Sequence, residues 1–217
     1  MAPFAAERDE MVLVQLERRG VKDPRVLDAM RSVPRHLFVP IEQRHVAYRD
    51  GPLSIGHCQT ISQPYIVALM AELLQLKEDG ICLDVGTGSG YAAAVLAKLC
   101  AHVSSVERLP ELVGTARNNL IAAGSRNIDI VCGDGSLGYP EGAPYDAIAV
   151  AAGAPFVPEP LKEQLKPGGR LVVPVGPSRR LQELIVVHRI SDGAYETENL
   201  GGVAFVPFVG AHAWPEN

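Results

Sequence analysis

The feature that most constrains the fold is a short apolar run that leads directly into three closely spaced glycines. Residues 81–85 read ICLDV, residues 86–90 read GTGSG, and an alanine-rich helical pattern begins at Tyr91. A strand, a glycine turn and a helix in this order form the first part of a nucleotide-binding α/β unit, where a ligand approaches the backbone at the carboxyl end of the strand. The spacing G-x-G-x-G places Tyr91 where a dinucleotide loop has its third glycine. A nicotinamide-dependent oxidoreductase is therefore disfavoured.

Strand-like apolar runs alternate with helical patterns through the rest of the chain. The predicted strands after the glycine loop are 102–107, 128–132, 145–152, 170–175, 181–190 and 201–208. This alternation predicts an α/β fold, a Rossmann-like doubly wound and mostly parallel sheet, and the last two runs predict antiparallel strands at its C-terminal edge. Residues 1–55 instead carry short helical patterns at 9–19, 25–33 and 41–47. We therefore expect one domain, 1–217, with an N-terminal helical appendage (1–55) on a cofactor-binding core (56–217).

Composition and charge exclude several classes of protein. The formal net charge is −5, and Lys and Arg never cluster beyond a pair, so no nucleic-acid partner is predicted. No apolar run approaches the ~20 residues that span a bilayer, and the N-terminal residues lack a signal-peptide pattern. We expect a cytoplasmic protein without a membrane partner, and by default a monomer. The four cysteines lack metal-ligand spacing, so no metal is predicted, and Cys82 and Cys132 are expected to be buried.

Acidic residues and glycines follow the next two strands. Glu107 ends the second strand, where an acid typically accepts hydrogen bonds from ribose hydroxyls. Asp134 and Gly135 follow the third strand, where a carboxylate or an amide could meet the exocyclic amine of an adenine. Each feature also has a plainer interpretation. Glu107 could be a solvated charge, Asp134 and Gly135 a simple turn, and the glycines of the 86–90 loop purely structural.

Taken in order, these strand ends resemble those of class I S-adenosylmethionine-dependent methyltransferases. Longer stretches upstream and downstream resemble one branch of that class, the protein-L-isoaspartate (D-aspartate) O-methyltransferases. The matching stretches are residues 23–40, 47–56, 59–70, 83–97, 106–112, 133–148 and 158–176. The most specific of them contains TISQP at 60–64, which a generic methyltransferase would lack.

The resemblance implies a protein-repair enzyme. Such an enzyme transfers a methyl group from S-adenosyl-L-methionine to the α-carboxyl of L-isoaspartyl residues in damaged proteins and peptides, with D-aspartyl residues as a second substrate class. The ester then cyclises to a succinimide, and S-adenosyl-L-homocysteine is the other product. Ser62 matches the family's catalytic serine. The implied cofactor contacts are Thr60, Ile61, Ser62, Asp84, Gly86, Thr87, Gly88, Gly90, Glu107, Asp134 and Gly135. The implied substrate contacts are Thr60, Ser62, Val206, Pro207 and Val209.

Methyl transfer to a free carboxylate mainly requires the protein to position the carboxylate and the cofactor. A free α-carboxyl group has a pKa near ~3.5, so it is already an anionic nucleophile at neutral pH and requires no general base. Hydroxyl groups such as those of Thr60 and Ser62 can hold it without competing for the methyl group. Two alternatives remain: an enzyme that methylates a normal aspartate in a dedicated partner peptide, and a cofactor-binding module without catalysis.

The CQTISQP stretch (58–64) also raises questions of local structure. Ser62 is a good N-cap for a helix with Pro64 in its first turn. His57-Cys58 stands where bacterial relatives commonly have Tyr-Gly, and Cys would adopt a positive φ only at a cost. Either this turn does not need that freedom, or substrate access is altered. Val209 stands where many relatives have Thr, so a hydroxyl from that position is missing.

Overall fold

The computed structural model describes residues 4–216, and the predicted domain limits at 1 and 217 lie outside that range. Its α-helices are α1 (Ala5–Glu10), α2 (Pro24–Ser32), α3 (Pro64–Leu73), α4 (Tyr91–Leu96), α5 (Pro110–Ala122) and α6 (Glu159–Glu163). Its strands are β1 (Leu53–Gly56), β2 (Gln59–Ile61), β3 (Ile81–Val85), β4 (His102–Glu107), β5 (Ile128–Cys132), β6 (Tyr145–Val150), β7 (Leu165–Ser178), β8 (Leu181–Ser191) and β9 (Ala194–Val203). None of the described helices is long and apolar enough to cross a membrane.

The main sheet has the predicted topology. Its seven strands lie in the order β5-β4-β3-β6-β7-β8-β9. The first five strands in this order are parallel to one another; β8 then pairs antiparallel with β7, and β9 pairs antiparallel with β8. The chain runs from β3 outward through β4 to β5 and then returns to place β6 on the other side of β3. This reversal of direction at β3 is the switch point at which doubly wound sheets bind ligands.

Alternate side chains of the central strands pack into two hydrophobic clusters, one on each face of the sheet. In β3, Cys82 belongs to the cluster that also contains residues of α2, α3 and α4. Leu83 and Val85 of the same strand belong to the cluster on the opposite face, which contains residues of α6 and β7. Because successive side chains of a strand point to opposite faces, a strand covered on both faces is expected to be mostly apolar. This explains the continuous apolar runs in the sequence.

The N-terminal helices are packed into the first of these clusters. Met11, Val26 and Phe38 are buried together with residues of α3 and α4. The first helix changes type along its length, being α-helical to Glu10, π-helical over Met11–Leu16 and 3-10 over Glu17–Arg19 before it stops at Gly20. We propose that the appendage and the core form one domain, because they share this buried cluster.

The position of the last predicted strand was wrong. β9 covers Ala194–Val203, so that only the first three residues of the predicted 201–208 strand belong to it. β9 is polar on both faces and largely exposed, which left no alternation in its sequence to detect. The apolar residues after it cross the end of the sheet instead. Gly153 N donates to Val206 O and Phe208 N donates to Gly153 O, both at 2.8 Å. Cys132, expected in the core, is exposed.

A β-hairpin that was not predicted lies just before the TISQP motif. β1 and β2 pair antiparallel, and His57 and Cys58 form the two-residue loop between them with φ values of 51° and 56°. Two consecutive positive φ values are typical of a type I′ hairpin turn, which favours Asn-Gly. The turn therefore does use the conformational freedom that Cys58 supplies only at a cost.

Replacing Cys58 by Gly should stabilise the protein by about 1 kcal/mol, because a left-handed conformation costs a residue with a Cβ roughly that much. Thermal or urea unfolding measures the change. Cys58→Ala is the matched control: it removes the thiol, keeps the Cβ and should give no comparable gain. A gain in Cys58→Ala equal to that in Cys58→Gly would show that the thiol, and not the backbone, is the source of the cost.

Candidate active site

The glycine loop after β3 forms the floor of a cleft at the carboxyl ends of the parallel strands. Gly86, Gly88 and Gly90 have φ values of 91°, 54° and 90°. Only glycine adopts such values without strain, and here they fold the loop tightly against the end of β4. Gly86 N donates to Val106 O at 2.9 Å, and Gly90 N donates to Thr87 O at 2.8 Å. Gly86 and Gly88 therefore bring bare backbone to the cleft, as a closely bound nucleoside ligand requires.

Glu107 fastens this loop from the neighbouring strand. Its side chain lines the cleft although the residue is only 5% exposed. One carboxylate oxygen accepts from Gly88 N at 2.8 Å and the other from Leu109 N at 3.0 Å. Within residues 4–216, no Lys or Arg neutralises it. Each oxygen keeps a second lone pair, so the carboxylate can also accept hydrogen bonds from ligand hydroxyls.

A chain of buried polar groups supports the loop from below. Ser105 Oγ donates to Asp84 Oδ2 at 2.6 Å, and the Thr87 hydroxyl lies 2.5 Å from Ser105 Oγ. Asp84 is fully buried, and its second oxygen, Oδ1, has no hydrogen-bond partner among the described residues. Burial raises the pKa of Asp84 to about 6; the hydrogen bond from Ser105 opposes this rise, and the nearby charge of Glu107 adds to it.

The titration of Asp84 should make the free energy of unfolding depend on pH. Its pKa rises from an ordinary value of 3.8 to about 6 on folding, so the folded protein holds the proton more tightly. The protein is therefore stabilised by this group below pH 4 and loses that stabilisation as the pH rises through 6. We expect the wild type to gain at most ~3 kcal/mol relative to Asp84→Asn between pH 7 and pH 4. Urea unfolding at both pH values measures this.

Asp79 supplies the control for that experiment, because it lies exposed just ahead of β3. In Asp79→Asn, the unfolding free energy should change with pH as much as it does in the wild type. The same change with pH in Asp84→Asn would contradict the raised pKa of the buried carboxyl.

The TISQP motif forms the opposite wall of the cleft. Thr60 and Ile61 lie in β2, and Ser62 follows in the link to α3. All three line the cleft together with the glycine loop. The nearby side-chain hydrogen bonds are made by Gln59 and Gln63. The hydroxyls of Thr60 and Ser62 bond to no other described residue, so both are available to a ligand.

The prediction that Ser62 caps α3 was wrong. The N-cap is Gln63, Pro64 is the first helical residue, and no side chain caps this helix end. The chain leaves β2 in an extended conformation and reaches the helix one residue later than the sequence suggested. With Gln63 as the N-cap, Ile61 and Ile66 do not stand at the N′ and N4 positions of a hydrophobic staple. Ser62 therefore does not cap α3.

Asp134 and Gly135, predicted as a pair, have different surroundings. Gly135 lines the cleft, whereas Asp134 does not. Asp134 Oδ1 accepts from Ser136 N and Oγ, and Oδ2 accepts from Ala211 N at 2.7 Å. The pKa of Asp134 is lowered because these hydrogen bonds outweigh its partial burial. Asp134 therefore holds the C-terminal segment against the end of β5, in addition to any ligand contact.

Gly135 has no room for a side chain. A Cβ at this position would lie 2.5 Å from Val85 Cγ1 and 3.6 Å from Phe208 Cε2. Gly135→Ala should therefore cost about 1–3 kcal/mol of stability, because the cleft floor must shift to admit the methyl group. Gly133→Ala is the matched control, since a Cβ there meets nothing within 4 Å. Equal unfolding midpoints for the two variants would contradict this close packing.

The remaining wall comes from the C-terminal segment and from turns that the sequence did not mark. Val206, Pro207 and Val209, predicted as substrate contacts, all line the cleft. Of the predicted cofactor residues, Thr60, Ile61, Ser62, Gly86, Thr87, Gly88, Glu107 and Gly135 line it as well. The other three, Asp84, Gly90 and Asp134, lie behind the lining and support it. The lining residues that were not predicted include Tyr91, Arg108, Leu109, Ala151, Arg179 and Phe208.

The residues present suit S-adenosylmethionine. This cofactor carries a sulfonium and an ammonium group, and two buried carboxylates that pair with no Lys or Arg of the described residues, Asp84 and Glu107, lie at the loop. Glu107 can accept from ribose hydroxyls, and the glycine backbone leaves space beside it. No His lies among the described lining residues. A doubly wound sheet with this glycine loop and with Glu107 at the end of the neighbouring strand indicates a class I S-adenosylmethionine-dependent methyltransferase.

Comparison with known proteins specifies the member of that class. The family model "Protein-L-isoaspartate(D-aspartate) O-methyltransferase (PCMT)" matches residues 7–213, and the chain belongs to this family. Protein-L-isoaspartate O-methyltransferase 2 of Marinobacter nauticus is 56% identical over 208 residues, which are 96% of this chain and 95% of the relative. Protein-L-isoaspartate O-methyltransferase of Methanoculleus marisnigri is 55% identical over 98% of this chain and 96% of its own length.

Two solved structures share the fold over nearly the whole chain. A protein-L-isoaspartate O-methyltransferase superposes with a TM-score of 0.84 at 31% identity, covering 95% of this chain and 67% of the other. A beta-aspartate methyltransferase (PCMT) from Plasmodium falciparum, solved in complex with S-adenosyl-L-homocysteine, gives a TM-score of 0.80 at 26% identity. The covered shares are 93% of this chain and 98% of that one.

Proposed function

We propose that this protein transfers the methyl group of S-adenosylmethionine to the free α-carboxyl of L-isoaspartyl residues in damaged proteins and peptides. The observation that carries the proposal is the pairing of two free hydroxyls, on Thr60 and Ser62, with the glycine loop across one cleft. Family membership supports the same activity, and the relatives compared are named for it.

In this proposal, the residues of one wall of the cleft bind the cofactor and those of the other wall bind the substrate. Glu107 holds the ribose, and the backbone of residues 86–88 together with Gly135 encloses the rest of the cofactor. Thr60 and Ser62 donate hydrogen bonds to the substrate carboxylate and aim one oxygen at the methyl group. Val206, Pro207 and Val209 support the peptide beside them. Placing the two reacting atoms in line at contact distance can supply much of the rate enhancement.

The reaction balances without an acid or a base from the protein. The bound cofactor supplies an electrophilic methyl group: a carboxylate oxygen forms a bond to its carbon as the bond to sulfur breaks, and the electron pair stays on sulfur. No proton moves, in keeping with a lining whose charged side chains are those of Glu107, Arg108 and Arg179. The ester is then a substrate for spontaneous succinimide formation, which begins repair.

The test is specificity between isomers. The protein is incubated with methyl-labelled cofactor and either an isoaspartyl peptide or the same peptide with normal aspartate. We expect labelling of the isoaspartyl peptide alone. Equal labelling of both, or of neither, would reject the proposal. Labelling of the normal aspartyl peptide alone would favour the alternative of a dedicated peptide-modifying enzyme, which the comparisons do not favour.

A further inference from the structure

Two arginines stand at the mouth of the cleft. Arg108 follows Glu107 at the end of β4, and Arg179 lies in the turn between β7 and β8. They are the cationic side chains among the described lining residues. Glu107 does not neutralise them, because its carboxylate accepts from backbone amides. The lining therefore carries two cationic groups beside the glycine loop.

Both arginines already contact a short peptide, which is the chain's own C-terminal segment. Arg179 Nη2 donates to Pro215 O at 2.7 Å, and its guanidinium lies 5.8 Å from the centre of the Trp214 ring. Arg108 pairs with the carboxylate of Glu216. One arginine thus binds a backbone carbonyl and a ring, while the other binds an acidic side chain.

The contact is firmly anchored at one end and weak at the other. Trp214 N donates to Phe208 O at 2.8 Å, and its ring Nε1 donates to Gly153 O at 3.0 Å. The side chain of Glu216, by contrast, is 78% exposed. An ion pair this exposed contributes at most ~1 kcal/mol, so an acidic group of another peptide can replace it.

We infer that Arg108 and Arg179 form a subsite for an acidic residue close to the isoaspartyl residue of the substrate, and that Pro215 and Glu216 occupy this subsite in the free protein. The inference rests on the proposed function and adds a substrate preference to it. An acidic flanking residue would exchange with Glu216 on Arg108, and its backbone carbonyl would exchange with that of Pro215 on Arg179.

The test uses isoaspartyl peptides that differ only by Glu or Gln at each position within two residues of the damaged site. We expect at least one Glu peptide to show a KM about 5-fold below that of its Gln partner, with kcat unchanged. A factor of this size is what an exposed or half-buried charge pair contributes to binding. Arg108→Gln and Arg179→Gln should each reduce this preference, and Arg108→Lys should retain most of it. Glu216→Gln should lower the KM of the acidic peptide further.

Arg180→Gln is the matched control, because Arg180 is exposed in the same turn but does not line the cleft. It should keep the wild-type preference. Methylation of all peptides with equal KM values would overturn the subsite and leave the proposed function standing. An undiminished preference in both arginine variants would overturn it as well. Absence of methylation with every peptide would reject the proposed function, and the substrate subsite with it.

Discussion

Replacing Glu107 by Gln should weaken the binding of S-adenosylmethionine about 100-fold. Both carboxylate oxygens accept from backbone amides, those of Gly88 and Leu109. A Gln side chain has one carbonyl and one NH2 group, so in either orientation an NH2 group faces one of these amides. The amide left without an acceptor costs about 1–3 kcal/mol and displaces the loop that holds the cofactor, and the NH2 group cannot accept from a ribose hydroxyl as the carboxylate oxygen is proposed to do. Titration calorimetry with the cofactor measures the loss.

Glu111→Gln is the control for that variant. Glu111 is exposed in the first turn of α5, four residues further along the chain, and loses the same charge without touching the loop. Its affinity for the cofactor should equal that of the wild type. If Glu107→Gln bound the cofactor as tightly as Glu111→Gln, the buried carboxylate would not be a cofactor contact.

Replacing Ser62 by Ala should lower kcat on an isoaspartyl peptide about 100-fold, while cofactor affinity changes only a few fold. The reason is positional: the hydroxyl is proposed to hold the carboxylate in line with the methyl group, and small losses of alignment have effects of this size. Because Ser62 does not cap α3, the substitution should leave the unfolding free energy nearly unchanged. Initial rates, calorimetry and urea unfolding separate the three effects.

Ser191→Ala serves as the comparison, since Ser191 is an exposed serine at the end of β8 and does not line the cleft. It should match the wild type in every measurement. An unchanged kcat for Ser62→Ala would remove Ser62 from the mechanism. A loss of cofactor affinity as large as the loss of kcat would make it a cofactor contact instead of a positioning group for the substrate.

The parts of the fold that the sequence predicts well are those set by local pattern. β3, the glycine loop and Glu107 follow one another within a single α/β unit, so apolar runs, glycine spacing and one acid are enough to place them. β3 and β6 are mostly apolar because both faces of the sheet are covered. The assignment of Thr60 and Ser62 to the cleft came from resemblance, since their local pattern indicated only a helix start.

The parts that the sequence did not predict depend on contacts distant along the chain. β9 is an exposed edge strand with polar residues on both faces, so its pairing with β8 leaves no periodic signal. The residues after it are apolar because they cover the end of the sheet. Arg179 reaches the cleft only because the turn between β7 and β8 lies beside the C-terminal segment. The hairpin at His57-Cys58 was missed because its turn lacks the expected Asn-Gly.

The most direct test of the account is a competition in one tube. An isoaspartyl peptide and its normal aspartyl isomer are mixed in equal amounts with the protein and S-adenosylmethionine, and both are followed by chromatography and mass spectrometry. The account predicts that the isoaspartyl peptide alone gains a methyl ester, loses methanol to form a succinimide and reappears in part as the aspartyl peptide. With Ser62→Ala the same sequence should occur far more slowly. Methylation of the aspartyl isomer at a comparable rate, or no conversion of the isoaspartyl peptide, would contradict it.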